Sequence, residues 1–331
     1  MASSAPRRVR TVTVPDEDLR KALEPLPQGI NAAVWDLAGE PEGVDYAEID
    51  AVVLPYASAS DYRRALELVP GLVLLQSQTT GYDGLSDLVG PDTAIASAAG
   101  VHAAATAEMA LTLILAAQRG IDAAVRGQQG GTWDSVRYPG LADRRVLLVG
   151  VGGIGREIAA RLRPFDVELT RVGRTARTDA EGPVHGTGEL EHLASRAEIL
   201  VVITPLDRQT RHLVDARVLS ALPDGALVVN VARGAVVDSD ALTKEVVSGR
   251  LRAAVDVFDP EPVPADHPLR QAPGAIVTPH WGGNTDAFEP RIRRFLRSQL
   301  QRLAEGAEPL NLVRPGPWGT DSGRADQASS R

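Results

Sequence analysis

Three groups of residues in this chain have types and spacing suited to chemistry, and each lies just beyond a run of apolar, often β-branched residues. The first is GVGGIG, with Gly150, Gly152 and Gly155 in G-x-G-x-x-G spacing directly after RVLLVG. The first glycine permits a tight turn, the second lets backbone approach a pyrophosphate, and the third lets helix pack on strand. The helix start then offers unpaired N–H groups to phosphates. Gly153 and Ile154 complete the turn. With 31 glycines in the chain the pattern alone says little, so its weight comes from the strand before it and the amphipathic REIAARL after it. The second group lies about 20 positions on, where a carboxylate would take the ribose 2′-hydroxyl of NAD. VGRTART instead supplies Arg174, Thr175 and Arg177. Paired guanidinium groups suit a 2′-phosphate, which favours NADP(H) over NAD(H). The other reading is a pair of solvated loop arginines.

The third group is spread over three strand ends: Arg233 closes GALVVNVARG, RAAVDVFDPEP carries Asp256 and Glu261, and His280 closes AIVTPHWGG. In open α/β sheets ligands gather beyond the carboxyl ends of strands. Arg233 would grip a substrate carboxylate and polarise the adjacent carbonyl. His280 would give or take the hydroxyl proton, and Glu261 would fix the imidazole tautomer and favour its protonated form. Singly, a loop arginine, a glutamate in a Pro-rich loop or one histidine among six has an ordinary structural explanation. Their joint occurrence carries the reading. His102, His185, His192, His212 and His267 are expected to be surface or packing residues.

The elements that must hold these groups read as alternating strands and helices. In the first part strands are predicted at 8–14, 32–37, 51–55, 72–76 and 93–97, with a helix at 60–69 and a long Ala-rich helix at about 101–118. The second part adds strands at 145–150, 167–173, 198–205, 225–232, 252–258 and 275–279, with helices at 154–162, 216–221 and 240–248. A final arginine-rich helix spans about 286–305, and the Gly/Ser/Asp-rich 315–331 is expected to be a disordered tail. Nearly all-apolar strands alternating with helices mark an α/β protein whose doubly wound parallel sheet is covered on both faces.

Composition agrees and narrows the field. At about 150 residues per domain, 331 residues predict two domains. The absence of cysteine removes disulfides, thiol nucleophiles and iron–sulfur clusters, and no metal site is expected. A net charge of −8 argues against nucleic acid as a partner. Arg7 and Arg8 are followed by no apolar leader segment, and the Ala-rich stretch at 93–117 is interrupted by His102 and Glu108. No membrane association is expected, and the location is expected to be cytoplasmic.

The ordered motifs GVGGIG, ITPLDRQT, NVARGAVVD, AAVDVFDPEP and TPHWGG resemble the D-isomer-specific 2-hydroxyacid dehydrogenase family. TTGYDGL and AEMALTLILAAQRGI extend the resemblance over roughly Val9 to Val313. It implies a Rossmann-type cofactor domain (101–283) inserted into a smaller flavodoxin-like substrate domain (1–100 plus 284–314). It implies that Arg233 binds substrate, that Glu261 and His280 form the acid–base pair, and that Asp256 contacts the nicotinamide end. Backbone N–H groups of Thr80 and Gly81 would meet the substrate carboxylate. Further cofactor contacts are implied at Thr204, Pro205, Val231, Ala232, Gly282 and Gly283, and a homodimer through the cofactor domain. The implied activity is reduction of a small 2-keto acid to a D-2-hydroxy acid, of the glyoxylate/hydroxypyruvate type. A phosphoglycerate or phosphite-type dehydrogenase and a non-catalytic NAD(P)-sensing corepressor-like protein are the alternatives. Arg174 departs from the family's usual acid, and Trp281 from the smaller residues common after the histidine.

Overall fold

The computed structural model describes residues 8–56 and 62–318. From the N-terminus come β1 (Thr11–Val14), α1 (Glu17–Ala22), β2 (Asn31–Val34), β3 (Ala51–Val53), α2 (Arg63–Leu66), β4 (Leu74–Gln76) and β5 (Ala94–Ala96). Next are α3 (Ala103–Arg119), α4 (Ile121–Gly130), β6 (Arg145–Val149), α5 (Gly153–Leu162), β7 (Glu168–Gly173), β8 (Arg177–Asp179), β9 (Gly182–Gly186), α6 (Leu190–Ala194) and β10 (Ile199–Val202). The chain continues with α7 (Ala216–Ala221), β11 (Leu227–Asn230), α8 (Ser239–Val247), β12 (Arg252–Val255), β13 (Ala275–Val277), α9 (Phe288–Ala304) and β14 (Leu312–Arg314). Two compact units result. One holds the residues up to Val101 and those from Ala287, the other His102–Asp286.

In the first unit the strand order is β14-β5-β4-β3-β1-β2. β1 to β5 are parallel, in the flavodoxin-like order, and β14 joins β5 antiparallel. One face packs Val12, Val14, Val53 and Leu74 against Leu19 of α1 and Ile292, Leu296 and Leu300 of α9. The other buries Val52, Leu75 and Ile95 with Trp35, Tyr62 and Leu66. Pro315–Trp318, expected to belong to an irregular tail, departs from that expectation. Gly316–Trp318 is a 3₁₀ turn. A side chain at Gly316 would collide with the backbone of Ala94, and Trp318 packs on the core. The rest of the tail, 319–331, and residues 60–61 of the predicted first helix lie outside the described residues.

The second unit has the order β13-β12-β11-β10-β6-β7-β9-β8, parallel except for the edge strand β8. Successive strand residues alternate between two buried faces. Leu147, Val149, Leu200, Val202 and Val228 pack with α6, α7 and α8, while Val146, Leu148, Ile199, Val201 and Val229 pack with α3 and α5. That two-sided burial is why these strands read as continuous apolar runs. The chain runs from β6 to β7 and β9 on one side and returns to β10 on the other. The strand order therefore reverses between β6 and β10, as in a Rossmann-type sheet, and a crevice opens beyond their carboxyl ends. Among the described residues no helix is long and apolar enough to cross a membrane.

Candidate active site

The glycines after β6 divide their work by what surrounds each one. Gly150 takes φ +118°, and a Cβ there would lie 2.5 Å from the Ile203 carbonyl oxygen, so only glycine allows β6 to turn so close to the end of β10. A Cβ on Gly155 would collide with the carbonyl oxygen of Gly150, which fixes α5 against the turn. Gly152 and Gly153 instead face open space. Gly152 is the N-cap of α5 with no side-chain cap, so the first N–H groups of this 10-residue helix face the crevice. The Thr204 hydroxyl, just beyond β10, is buried without a hydrogen-bond partner. An uncapped helix start with an orphaned donor nearby fits a dinucleotide pyrophosphate. Gly152, Gly153, Ile154 and Thr204 would hold it.

Beyond β7 the structure brings Arg174 and Arg177 to the same end of the sheet. The Arg174 side chain is 68% exposed, and its Nη2 lies 2.9 Å from Oδ2 of Asp207 in the loop after β10. Arg177 belongs to β8, where no strand is expected from RTD, and its Nη1 lies 3.0 Å from where a Gly173 side chain would begin. Val151 of the glycine turn is as close to that same point. A buried arginine, Arg171 of β7, forms the clamp that holds this hairpin. It pairs with Asp179 at 2.8 Å and donates to the carbonyl of Gly182.

On the other side of the crevice, β11, β12 and β13 are neighbours and end together. Asn230, buried at the end of β11, accepts the Ala232 N–H on Oδ1 and donates from Nδ2 to the Arg233 carbonyl. Its side chain shapes the turn that presents Arg233. Gly234 must follow, because any side chain there would strike the backbone of Phe258. After β13 the chain turns so sharply that His280 sits at φ +56°. That conformation is uncommon for a non-glycine residue and persists only where its surroundings impose it.

Asp256 imposes it. Only 2% exposed, it accepts Thr278 Oγ1 at 2.6 Å and the Trp281 N–H at 2.8 Å on Oδ1, and the Gly282 N–H at 2.7 Å on Oδ2. Its carbonyl accepts the His280 N–H at 2.8 Å. The Asp256 carboxylate thus spends both oxygens on the histidine turn. Gly282 and Gly283 have packing reasons for lacking side chains, since a Cβ would lie 2.9 Å from Asp256 Oδ2 and from His102 Nδ1 respectively. Val231 and Ala232 are buried and Pro205 is exposed.

His280 and Glu261 meet directly, Nδ1 to Oε2 at 2.8 Å, while Glu261 Oε1 accepts the Phe258 N–H at 2.9 Å. The hydrogen bond to Glu261 raises the His280 pKa above its ordinary value, against burial and the positive field of Arg233. Burial alone would push the Glu261 carboxyl up, but the bonds from His280 and the Phe258 N–H outweigh it and the net shift is downward. A carboxylate facing Nδ1 places the ring proton there and leaves Nε2 as the exchanging atom.

Thr80 and Gly81 lie in the first unit, in the loop after β4. Thr79 Oγ1 donates to the Gly81 carbonyl at 2.7 Å, and Gln78 Nε2 donates to the Leu54 carbonyl at 2.9 Å, so the loop is held by its own side chains. The Thr80 hydroxyl is buried without a partner. Sequence reasoning missed Asn230, Asp207 and Arg171. The first left a signal, a lone polar residue ending the apolar run LVVN; the other two depend on pairing across the sheet. Among the described residues no cluster of acids and histidines could hold a metal ion.

Moving a hydride to or from a carbinol carbon requires somewhere for the hydroxyl proton and a cation for a neighbouring carboxylate. This edge of the sheet supplies both beside a dinucleotide cradle, which defines the class as nicotinamide-dependent oxidoreductases. Residues 111–282 match the model of the D-isomer specific 2-hydroxyacid dehydrogenase NAD binding domain. A glyoxylate reductase of Thermofilum pendens is 30% identical over 259 residues, 75% of this chain and 76% of that protein. A D-isomer specific 2-hydroxyacid dehydrogenase from Xanthobacter autotrophicus Py2, solved with NADPH and MES, is 28% identical, with a TM-score of 0.79 over 93% of this chain and 99% of that one. The NADPH-dependent glyoxylate/hydroxypyruvate reductase of Sinorhizobium meliloti, solved with NADP and malonate, is 26% identical, with a TM-score of 0.77 over 96% and 100%. The chain belongs to the D-isomer specific 2-hydroxyacid dehydrogenase family. It is an NAD(P)-dependent oxidoreductase acting on the CH–OH group of 2-hydroxy acids.

Proposed function

We propose that this protein reduces small 2-keto acids of the glyoxylate/hydroxypyruvate type to D-2-hydroxy acids, with NADP(H) preferred over NAD(H). The observation that carries the reading is the 2.8 Å pair of His280 and Glu261, placed beside Arg233 at adjacent strand ends. A bound nicotinamide supplies the hydride that reaches C2 of the keto acid. Arg233 binds the substrate carboxylate and draws electron density from the neighbouring carbonyl. His280 Nε2 delivers a proton to the carbonyl oxygen, giving the hydroxyl, and Glu261 stabilises the imidazolium until that transfer. In the oxidative direction the neutral imidazole takes the proton back. The substrate carboxylate also accepts backbone N–H groups from Thr80 and Gly81.

The cofactor preference is supported by Arg174 standing where a ribose-binding acid would be, with Thr175 and Arg177 beside it. The reading includes a cytoplasmic homodimer formed through the cofactor domain. Trp133, 97% exposed, and the exposed Ile121, Val125 and Val136 fit a surface covered by a second copy, which light scattering would detect as a doubled mass. The deciding experiment is a panel of glyoxylate, hydroxypyruvate, pyruvate, 3-phosphohydroxypyruvate and longer keto acids, assayed with NADPH and with NADH. Turnover of the two-carbon and three-carbon acids, faster with NADPH, is the expected result. Cofactor binding without oxidation by any acid would overturn the enzymatic reading in favour of a sensor.

A further inference from the structure

β7 and β10 flank β6 on either side, so residues just beyond them face each other across the glycine turn. Arg174 and Asp207 do so, and their 2.9 Å ion pair spans the crevice at the switch point, between elements 33 residues apart in sequence. The two partners are held very differently. Asp207 is fixed in place by bonds within its own loop. Its Oδ1 accepts the N–H groups of Gln209 and Thr210 at 2.7 and 2.9 Å, and its own N–H donates to Thr210 Oγ1 at 2.7 Å. Burial opposes its ionisation, but those N–H bonds, the Thr210 hydroxyl and the Arg174 charge together outweigh it and hold the carboxyl below its ordinary range. Arg174 is a long side chain, mostly in solvent, with its guanidinium engaged through one nitrogen.

We propose that Asp207 is a positioning residue for cofactor discrimination: a fixed counter-charge that holds Arg174 across the glycine turn and competes with a 2′-phosphate for it. The inference rests on Arg174 being the 2′-phosphate residue of the proposed function. A phosphate dianion approaching Arg174 must also approach Asp207, and the repulsion subtracts from what the arginine contributes. A ribose 2′-hydroxyl carries no charge and meets no such penalty. The pair therefore moderates the preference for NADP(H), leaving the site able to take either cofactor.

Calorimetric titration of NADP+ and NAD+ into the purified full chain tests this without turnover. Asp207→Asn keeps the acceptor for Gln209 and Thr210 but removes the charge. The ratio of the NAD+ Kd to the NADP+ Kd is expected to rise about three- to tenfold, an effect that shrinks as salt is added. A variant that is merely less well folded weakens both cofactors together and leaves the ratio unmoved. An unchanged ratio, or one that falls, overturns the inference. Arg174→Ala in the same titration separates the two layers. If it leaves the preference for NADP+ intact, the reading of Arg174 fails. If it lowers that preference while Asp207→Asn raises nothing, only the role of Asp207 fails.

Discussion

The two ends of the crevice in the second unit are built on opposite plans. Beyond β11 to β13, where the reaction is proposed, each functional side chain is aimed by a polar partner: buried Asn230 shapes the Arg233 turn, buried Asp256 the His280 turn, and the more exposed Glu261 the imidazole itself. Beyond β7, where the adenosine is proposed to bind, Arg174 and Arg177 are exposed and are held by one ion pair and one weak bond to a carbonyl, 3.4 Å from Arg177 to Thr175. Proton transfer depends on sub-ångström placement, which the buried, paired side chains of Asn230 and Asp256 supply to the turns beneath it. Holding a phosphate depends mostly on charge, which long flexible cations deliver from solvent. Substitutions at the first end should therefore cost rate, and at the second should shift preference.

The largest effect is expected at His280. His280→Ala removes the proposed proton donor and should lower kcat about 10²- to 10⁴-fold, while NADP+ binding measured by calorimetry should change little. Comparable turnover would remove the imidazole from the mechanism. Next comes Glu261→Gln. Its hydrogen bond is the largest cause of the raised His280 pKa, so the amide should let that pKa fall. In the proposed mechanism keto-acid reduction needs the imidazolium, so its rate should be high below the His280 pKa and fall as pH rises through it. The descending limb of the pH–rate profile should move to lower pH in the variant, and the limb for hydroxy-acid oxidation, which needs neutral imidazole, should move the same way. Limbs that stay in place would separate Glu261 from the titration. Smaller again, Asn230→Ala leaves the Ala232 N–H and Arg233 carbonyl without their buried partner. Stability should fall by about 1–3 kcal/mol, with KM for the keto acid rising more than kcat falls. A stability loss with unchanged KM would mean that the turn at Arg233 is held by something else.

The same contrast governs what the sequence revealed. The second unit's parallel strands were legible because both faces are buried, leaving apolar runs between helical patterns. GVGGIG was legible because strand, turn and helix occur in order. Arg233, Glu261 and His280 were candidates by residue type and by position beyond strands, and the structure brings Glu261 and His280 into contact. What escaped depends on pairing across long sequence separations. β8 (RTD) and β9 (GPVHG) lack apolar alternation, and their hairpin is held by the buried charge of Arg171, which looks like any strand arginine. β14 is three residues long and pairs with β5, over 200 positions earlier. The family resemblance implied a cofactor contact for Asp256 but gave no sign that its carboxylate also holds the turn that carries His280.

Arg177 gives the smallest effect and the sharpest test of the contrast between the two ends. It lies on the same edge as Arg174, but its guanidinium already rests against Gly173 and reaches the Thr175 carbonyl, and its charge contributes to holding the Asp179 carboxyl low. Part of its field is therefore spent within the hairpin, and less is available to a phosphate. Arg177→Ala should lower the NADPH-to-NADH ratio of kcat/KM only about two- to fourfold, less than Arg174→Ala, because exposed charges are screened by water and salt. The rate with saturating NADPH should hardly move, since nothing at the reaction end depends on this side chain. If Arg177→Ala instead proved the more damaging of the two, the phosphate would sit over the hairpin rather than beside Asp207. If it lowered kcat as strongly as Asn230→Ala raises KM, the two ends would be coupled through the sheet, and the division between rate and preference would fail.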